Sequence, residues 1–92
     1  MSIKKMHIIF KGEVQGVGFR FWAKSIADTL QIRGYVKNLL DGSVEVIAIG
    51  EERVLQTFIE EIRQKIGQEK IKEINVSCFP LFHEIDGFEI QF

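Results

Sequence analysis

The chain has 92 residues, 46% of them hydrophobic and 27% charged, with a formal net charge of −1 at pH 7. That length predicts one domain over residues 1–92, with an apolar share large enough for a core without disulfides. The charge excludes a global basic field for nucleic acid or an anionic membrane, no apolar run is long enough to span a bilayer, and the N-terminus lacks the apolar region of a signal peptide.

The single cysteine, Cys78, has no internal partner for a disulfide, which suits a reducing compartment. The expectation is therefore a cytoplasmic protein with no nucleic-acid and no membrane partner. With no obvious exposed apolar stripe, a monomer is the simplest expectation.

Lys5 to Val14 reads as the first strand, with Met6, Ile8 and Phe10 on one face and His7, Ile9 and Lys11 on the other. His7 reads as a strand-surface residue, since no second metal-type ligand lies near it in sequence. The strand runs into Gly12-Glu13-Val14-Gln15-Gly16-Val17-Gly18-Phe19-Arg20, a stretch with three glycines that ends in an arginine. Glycines let successive backbone N–H groups turn inward and form a nest for an oxyanion. A helix follows, and its start adds the positive end of the helix dipole. The candidate cap positions, Val17, Gly18 and Phe19, carry no side-chain oxygen, so the first N–H groups are left for water or a ligand. Arg20 adds a planar fork that fits a phosphate or carboxylate. On this stretch alone, an anion cradle and a tight strand-to-helix turn with a surface arginine are both open.

The first helix is expected from about Phe19 to Gln31, with Trp22, Ala23, Ile26, Ala27 and Leu30 as its buried stripe. Trp22 reads as core. Gly34 to Leu40 is a short second strand, Asp41-Gly42 a hairpin turn, and Ser43 to Ile49 a third strand that Gly50 ends. Glu51 and Glu52 open a second helix, where the dipole favours acids, with Val54, Leu55, Phe58, Ile59, Ile62 and Ile66 facing inward and Lys65 and Gly67 at its end. Ile71 to Phe79 is the fourth strand, with Ile74, Val76 and Cys78 on one face. Cys78 reads as a small core residue, because nothing near it in sequence would lower its pKa. Pro80 ends that strand or sits on an edge. Leu81 to Gly87 is expected to be a loop that leaves His83 solvated or hydrogen-bonded, and Phe88, Ile90 and Phe92 alternate in a last short strand. The roles of Leu81, Phe82, Phe88 and Phe92, core or contact surface, stay open.

The order βαββαβ plus a terminal strand predicts an α+β, ferredoxin-like two-layer sandwich: a mostly antiparallel sheet with two helices on one face. The split-βαβ arrangement is expected to put the first and third strands side by side and parallel. It brings the start of the first helix and the end of the second strand to one edge, and so Arg20 near Asn38.

With both motifs placed, the chain closely resembles the acylphosphatase family. The first motif is Gly12-x-Val14-Gln15-Gly16-Val17-Gly18-Phe19-Arg20. The second is Gly34-Tyr35-Val36-Lys37-Asn38, followed after three residues by Gly42-x-Val44, with Gly50 closing the third strand. The two motifs span about the first half of the chain; the second half matches in element order and in Gly87-Phe88-x-Ile90. Tyr35 stands where many members have tryptophan, and Gly67-Gln68-Glu69 lacks a proline common after the second helix.

The resemblance implies hydrolysis of a small-molecule acyl phosphate to a carboxylate and inorganic phosphate. It implies that Arg20 and Asn38 are catalytic and that the backbone of Gln15, Gly16, Val17, Gly18, Phe19 and Arg20 binds the phosphate; no cofactor is expected, and no metal, because no carboxylate cluster accompanies the loop. The chemistry agrees with so few groups. A carboxylate leaving group needs little protonation, and phosphoryl transfer is mostly positioning and charge stabilisation. Asn38 orients a water without deprotonating it; its other reading is a strand-end residue supporting the hairpin.

Two rival readings follow from the same element order. One is a non-catalytic module that binds a phosphorylated or carbamoylated ligand, free or beside a larger carbamoyl-transfer machine. The other is RNA recognition, in which the two central strands display aromatics with basic residues beside them. The third strand, Ser43 to Ile49, has neither.

Overall fold

The computed structural model describes residues 3–80 and 86–92. Its elements in order are β1 (Ile3–Gly12), α1 (Phe19–Leu30), β2 (Arg33–Asn38), β3 (Val44–Glu51), α2 (Glu52–Ile66), β4 (Ile71–Phe79) and β5 (Phe88–Gln91). The five strands form one sheet in the order β4-β1-β3-β2-β5. The expectations for Leu81, Phe82 and His83 lie outside the described residues.

The alternation read from the sequence sets the two faces of the sheet. Met6, Ile8 and Phe10 of β1 and Val44, Val46 and Ala48 of β3 turn toward the helices and are buried. Against them α1 packs Phe19, Ala23, Ile26 and Ala27, and α2 packs Leu55, Phe58, Ile62 and Ile66. Trp22 is half-buried against this cluster, Phe88 of β5 is part of it, and Phe92 is exposed. Glu51 caps α2 from outside in extended conformation rather than opening it.

Two expectations need correction. β1 and β3 are neighbours but run antiparallel; the parallel neighbours are β2 and β5. The α1 crossover makes β1 and β2 run the same way, and the tight Asp41-Gly42 turn reverses β3 against β2 and hence against β1. The functional juxtaposition survives this change. Val44 has Phe10 of β1 as its partner on one side and Asn38 of β2 on the other, so both strands end at the same end of the sheet.

Cys78 is exposed, not core. It does share a face with Ile74 and Val76, opposite Met6 of β1. But β4 is an edge strand, the helices lie over β1, β3, β2 and β5, and exposure rises along β4 from Ile74 to Val76 and Cys78.

On the helix-free face His7 meets Glu45 of β3, Nε2 to Oε2 2.8 Å, and the Tyr35 hydroxyl of β2 donates to Glu45 Oε1 at 3.1 Å. Three strands are thus joined through one carboxylate. Burial, and then the Glu45 charge, push the Tyr35 hydroxyl above its usual value.

Gly34 begins the second motif with φ +140°, and a Cβ there would run into the Ile47 carbonyl of β3. Gly34→Ala is therefore expected to lower stability by about 3 kcal/mol, read as a shift of the urea midpoint. For Tyr35, a raised folded-state value means stability that is complete below pH about 10 and is lost as pH rises through the folded value. Tyr35→Phe should remove that part of the alkaline loss, visible as a flatter dependence of the urea midpoint between about pH 9 and 12.

Candidate active site

The glycine stretch leaves β1 at Gly12 and is held at both ends. The Glu13 N–H donates to the Lys70 carbonyl at 2.8 Å. Val14 is fully buried, and the Phe19 ring meets Phe10 edge-on with centroids 4.9 Å apart. Between these anchors Gly16 and Gly18 take φ +78° and +77°, a left-handed conformation that favours glycine. Gly18 is the N-cap of α1 without any side-chain cap, and the first helical bond runs from the Trp22 N–H to the Gly18 carbonyl. Among the described residues, the backbone N–H groups from Gln15 to Phe21 have no backbone partner. The loop thus offers free donors at the positive end of a helix, which is what an oxyanion needs.

Arg20, in the first turn of α1, is steered by the end of β5. Its Nη1 donates to the Gln91 carbonyl at 3.3 Å, and the guanidinium carbon lies 4.7 Å from the centre of the Phe92 ring. Lys24, one turn on, donates to the Phe88 carbonyl at 3.0 Å and ties α1 to the same strand. Asn38 ends β2. The turn after it is fastened by Asp41, which accepts from the Ser43 hydroxyl at 2.5 Å and from its N–H at 3.0 Å. These bonds, the hydroxyl first, hold the Asp41 carboxyl below its usual range.

Arg20 and Asn38 border one cavity of about 250 Å³. Val14, Gly16, Gly18 and Phe19 line its loop side, and Phe21, Ile90 and Phe92 its mouth. Gln15 and Val17, expected at the cradle, point elsewhere with their side chains. Val17 packs on the core. The Gln15 amide nitrogen donates to the carbonyls of Leu39 and Ser43, both at 2.8 Å, so it clamps the loop to the hairpin that carries Asn38.

Sequence reasoning missed this clamp, and also missed Gln91, Phe92, Phe21 and Ile90 at the site. A glutamine between glycines carries no local sign of its acceptors, and the terminal alternation of Phe88, Ile90 and Phe92 was the only hint of the mouth. A cavity of similar volume, about 260 Å³, lies between the end of α2 and β4. It holds none of the motif residues, and its one buried unpartnered donor, Arg63 Nε, has no surface open to a ligand.

Gln15→Leu removes two hydrogen bonds from the loop to the hairpin, leaving the Leu39 and Ser43 carbonyls only their backbone donors, and is expected to cost about 2 kcal/mol of stability in urea unfolding.

Comparison with known proteins agrees with this geometry. The sequence profile of the acylphosphatase family matches residues 6–90. An acylphosphatase of Archaeoglobus fulgidus is 47% identical over 87 residues, 95% of this chain and 97% of that protein. The crystal structure of acylphosphatase from Bacillus subtilis superposes with a TM-score of 0.89 at 35% identity, covering 99% of this chain and all of the other. Full-length HypF, in its phosphate- and nucleotide-bound form, matches with a TM-score of 0.88 at 32% identity, over 99% of this chain and 12% of that one. The fold, both motifs and these relatives agree: the chain belongs to the acylphosphatase family.

Proposed function

We propose that this protein hydrolyses the carboxyl–phosphate bond of small acyl phosphates, with Arg20 and Asn38 as its catalytic residues. The observation that carries the reading is the meeting of Arg20, Asn38 and the unpartnered loop donors around one cavity. The phosphoryl oxygens rest in the N–H groups of Gln15 to Arg20, and the Arg20 guanidinium offsets the charge that gathers on them in the transition state. The amide of Asn38 holds a water in line with the bond to be broken. The water oxygen bonds to phosphorus, and the phosphorus–oxygen bond to the acyl group breaks. Its electron pair leaves with the carboxylate, and a water proton passes to a phosphoryl oxygen. A carboxylate leaves without a general acid, and the reading has none. It also uses no metal and no cofactor.

Every residue in this scheme comes from one chain, which supports activity as a monomer. The net charge of −1 supports a small-molecule substrate over nucleic acid. A lone cysteine supports a cytoplasmic setting.

The test is hydrolysis of benzoyl phosphate in excess EDTA by wild type and Arg20→Gln side by side. The variant is expected to lose about 3 kcal/mol of transition-state stabilisation, on the order of a hundredfold in kcat/KM. Unchanged turnover in the variant would overturn the assignment of Arg20. Phosphate binding without turnover by wild type would favour a binding module.

A further inference from the structure

β4 is an edge strand, and the helices lie over the other four strands. The cavity of about 260 Å³ opens where that cover ends. Arg63 from the last turn of α2, Gln68 from the turn that follows, and Ile71, Lys72, Glu73 and Ile74 of β4 line it. Ile71 and Ile74 are half-buried against the core and give it an apolar floor. In the register with β1, Ile74 stands opposite Phe10 and Glu73 opposite Lys11. The Glu73 carboxylate therefore belongs to the other face of the sheet.

The charged side chains left at the cavity are both cations. Arg63 is 41% exposed, and its Nη1 stands 4.0 Å from Glu60 Oε1, too far for a hydrogen bond. Its Nε is closed off, so the outer nitrogens of the fork are the ones that face a ligand. The Lys72 ammonium donates to the Glu69 carbonyl at 2.8 Å and has two further donors. The carbonyl end of α2 explains one cation here, but not two cations and an amide beside an apolar floor. A ligand that answers all of these has one carboxylate and an apolar body. The guanidinium fork takes the carboxylate, and the body covers Ile71 and Ile74. Inorganic phosphate would leave the isoleucines uncovered, and an amine would meet two like charges.

The wall of this cavity is also the anchor of the glycine loop. The Glu13 N–H donates to the Lys70 carbonyl at 2.8 Å, and Gly12 packs so closely that a Cβ there would strike both Lys70 and Lys72. We propose that the cavity is a second site, for a small organic carboxylate with an apolar body, and that its occupancy reaches the glycine loop through Lys70. Binding there needs neither Arg20 nor Asn38. On the hydrolase reading a carboxylate is also a product, so the occupant is of a class that the reaction itself releases. The test needs no turnover, and either reading can fail alone.

The probe is cyclohexanecarboxylate, followed by the amide chemical shifts of the isotope-labelled full chain. The amides of Gln68, Ile71, Lys72 and Ile74 are expected to shift saturably, and the Glu13 amide to follow with the same midpoint. Arg63→Gln should weaken that midpoint about tenfold, and its urea midpoint checks that the variant folds. Cyclohexylmethylamine, with the same body and the opposite charge, should leave these amides in place. Shifts confined to residues 15–20 would put the carboxylate in the cradle and overturn the second site. A midpoint unchanged by Arg63→Gln, or an equal response to the amine, also overturns it. A Glu13 amide that stays still while the cavity fills overturns the link to the loop. Hydrolysis of benzoyl phosphate by wild type separates the two readings. Turnover without carboxylate shifts at the cavity sinks the second site and leaves the hydrolase. Shifts at the cavity without turnover sink the hydrolase and leave the second site.

Discussion

The edge-on contact between Phe10 and Phe19 closes the loop on which the site depends. One ring ends the covered face of β1 and the other opens α1, with their centroids 4.9 Å apart. Such a pair adds about 1 kcal/mol beyond the area it buries. Its larger effect is geometric. It fixes the distance that residues 11–18 must span, and with Val14 buried between the anchors the N–H groups from Gln15 onward are left without backbone partners. The nest is a by-product of core packing at its two ends, and rigidity of this kind lets dipoles stabilise charge without reorganising.

The second motif is brought to the first by a different force. β2 reaches the site because β3 lies between it and β1 with Val44 shared between Phe10 and Asn38. Gln15 then couples the two motifs directly, through the carbonyls of Leu39 and Ser43. A displacement of the hairpin is therefore also a displacement of the loop. The glycine loop and the strand end that carries Asn38 are linked through one amide side chain.

Much of this was legible in the sequence. The inward residues of both helices, the hairpin at Asp41-Gly42 and the uncapped start of α1 follow from local spacing and motif, and the approach of Arg20 to Asn38 from the order of the elements. What escaped was non-local. Alternation tells which residues of β4 share a face, but not that β4 lies at an edge, and so Cys78 was expected in the core and is exposed. The direction of β3 against β1 depends on a crossover and a turn acting together, and neither alone shows it. The donors of Gln15 and the contacts of Arg20 with Gln91 and Phe92 join positions far apart in sequence, where no periodicity connects them.

The placement of Arg20 has a consequence for how the protein comes to be active. The main-chain acceptor that steers its guanidinium lies 71 residues away, and β5 is held by parallel pairing to β2 across a similarly long stretch of chain. Among the described residues, only β2 and β3 are joined by a tight hairpin. Sheets of such high contact order close slowly, because the entropy of long loops must be overcome before the pairing rewards it. Helix α1 is local and can form early, but the loop is anchored at the Lys70 carbonyl and at the hairpin, and the arginine's seat forms only when the far end of the sheet docks. Completion of the cavity's lining is thus among the last steps of folding, since the loop and the arginine's seat both wait for chain from Lys70 onward.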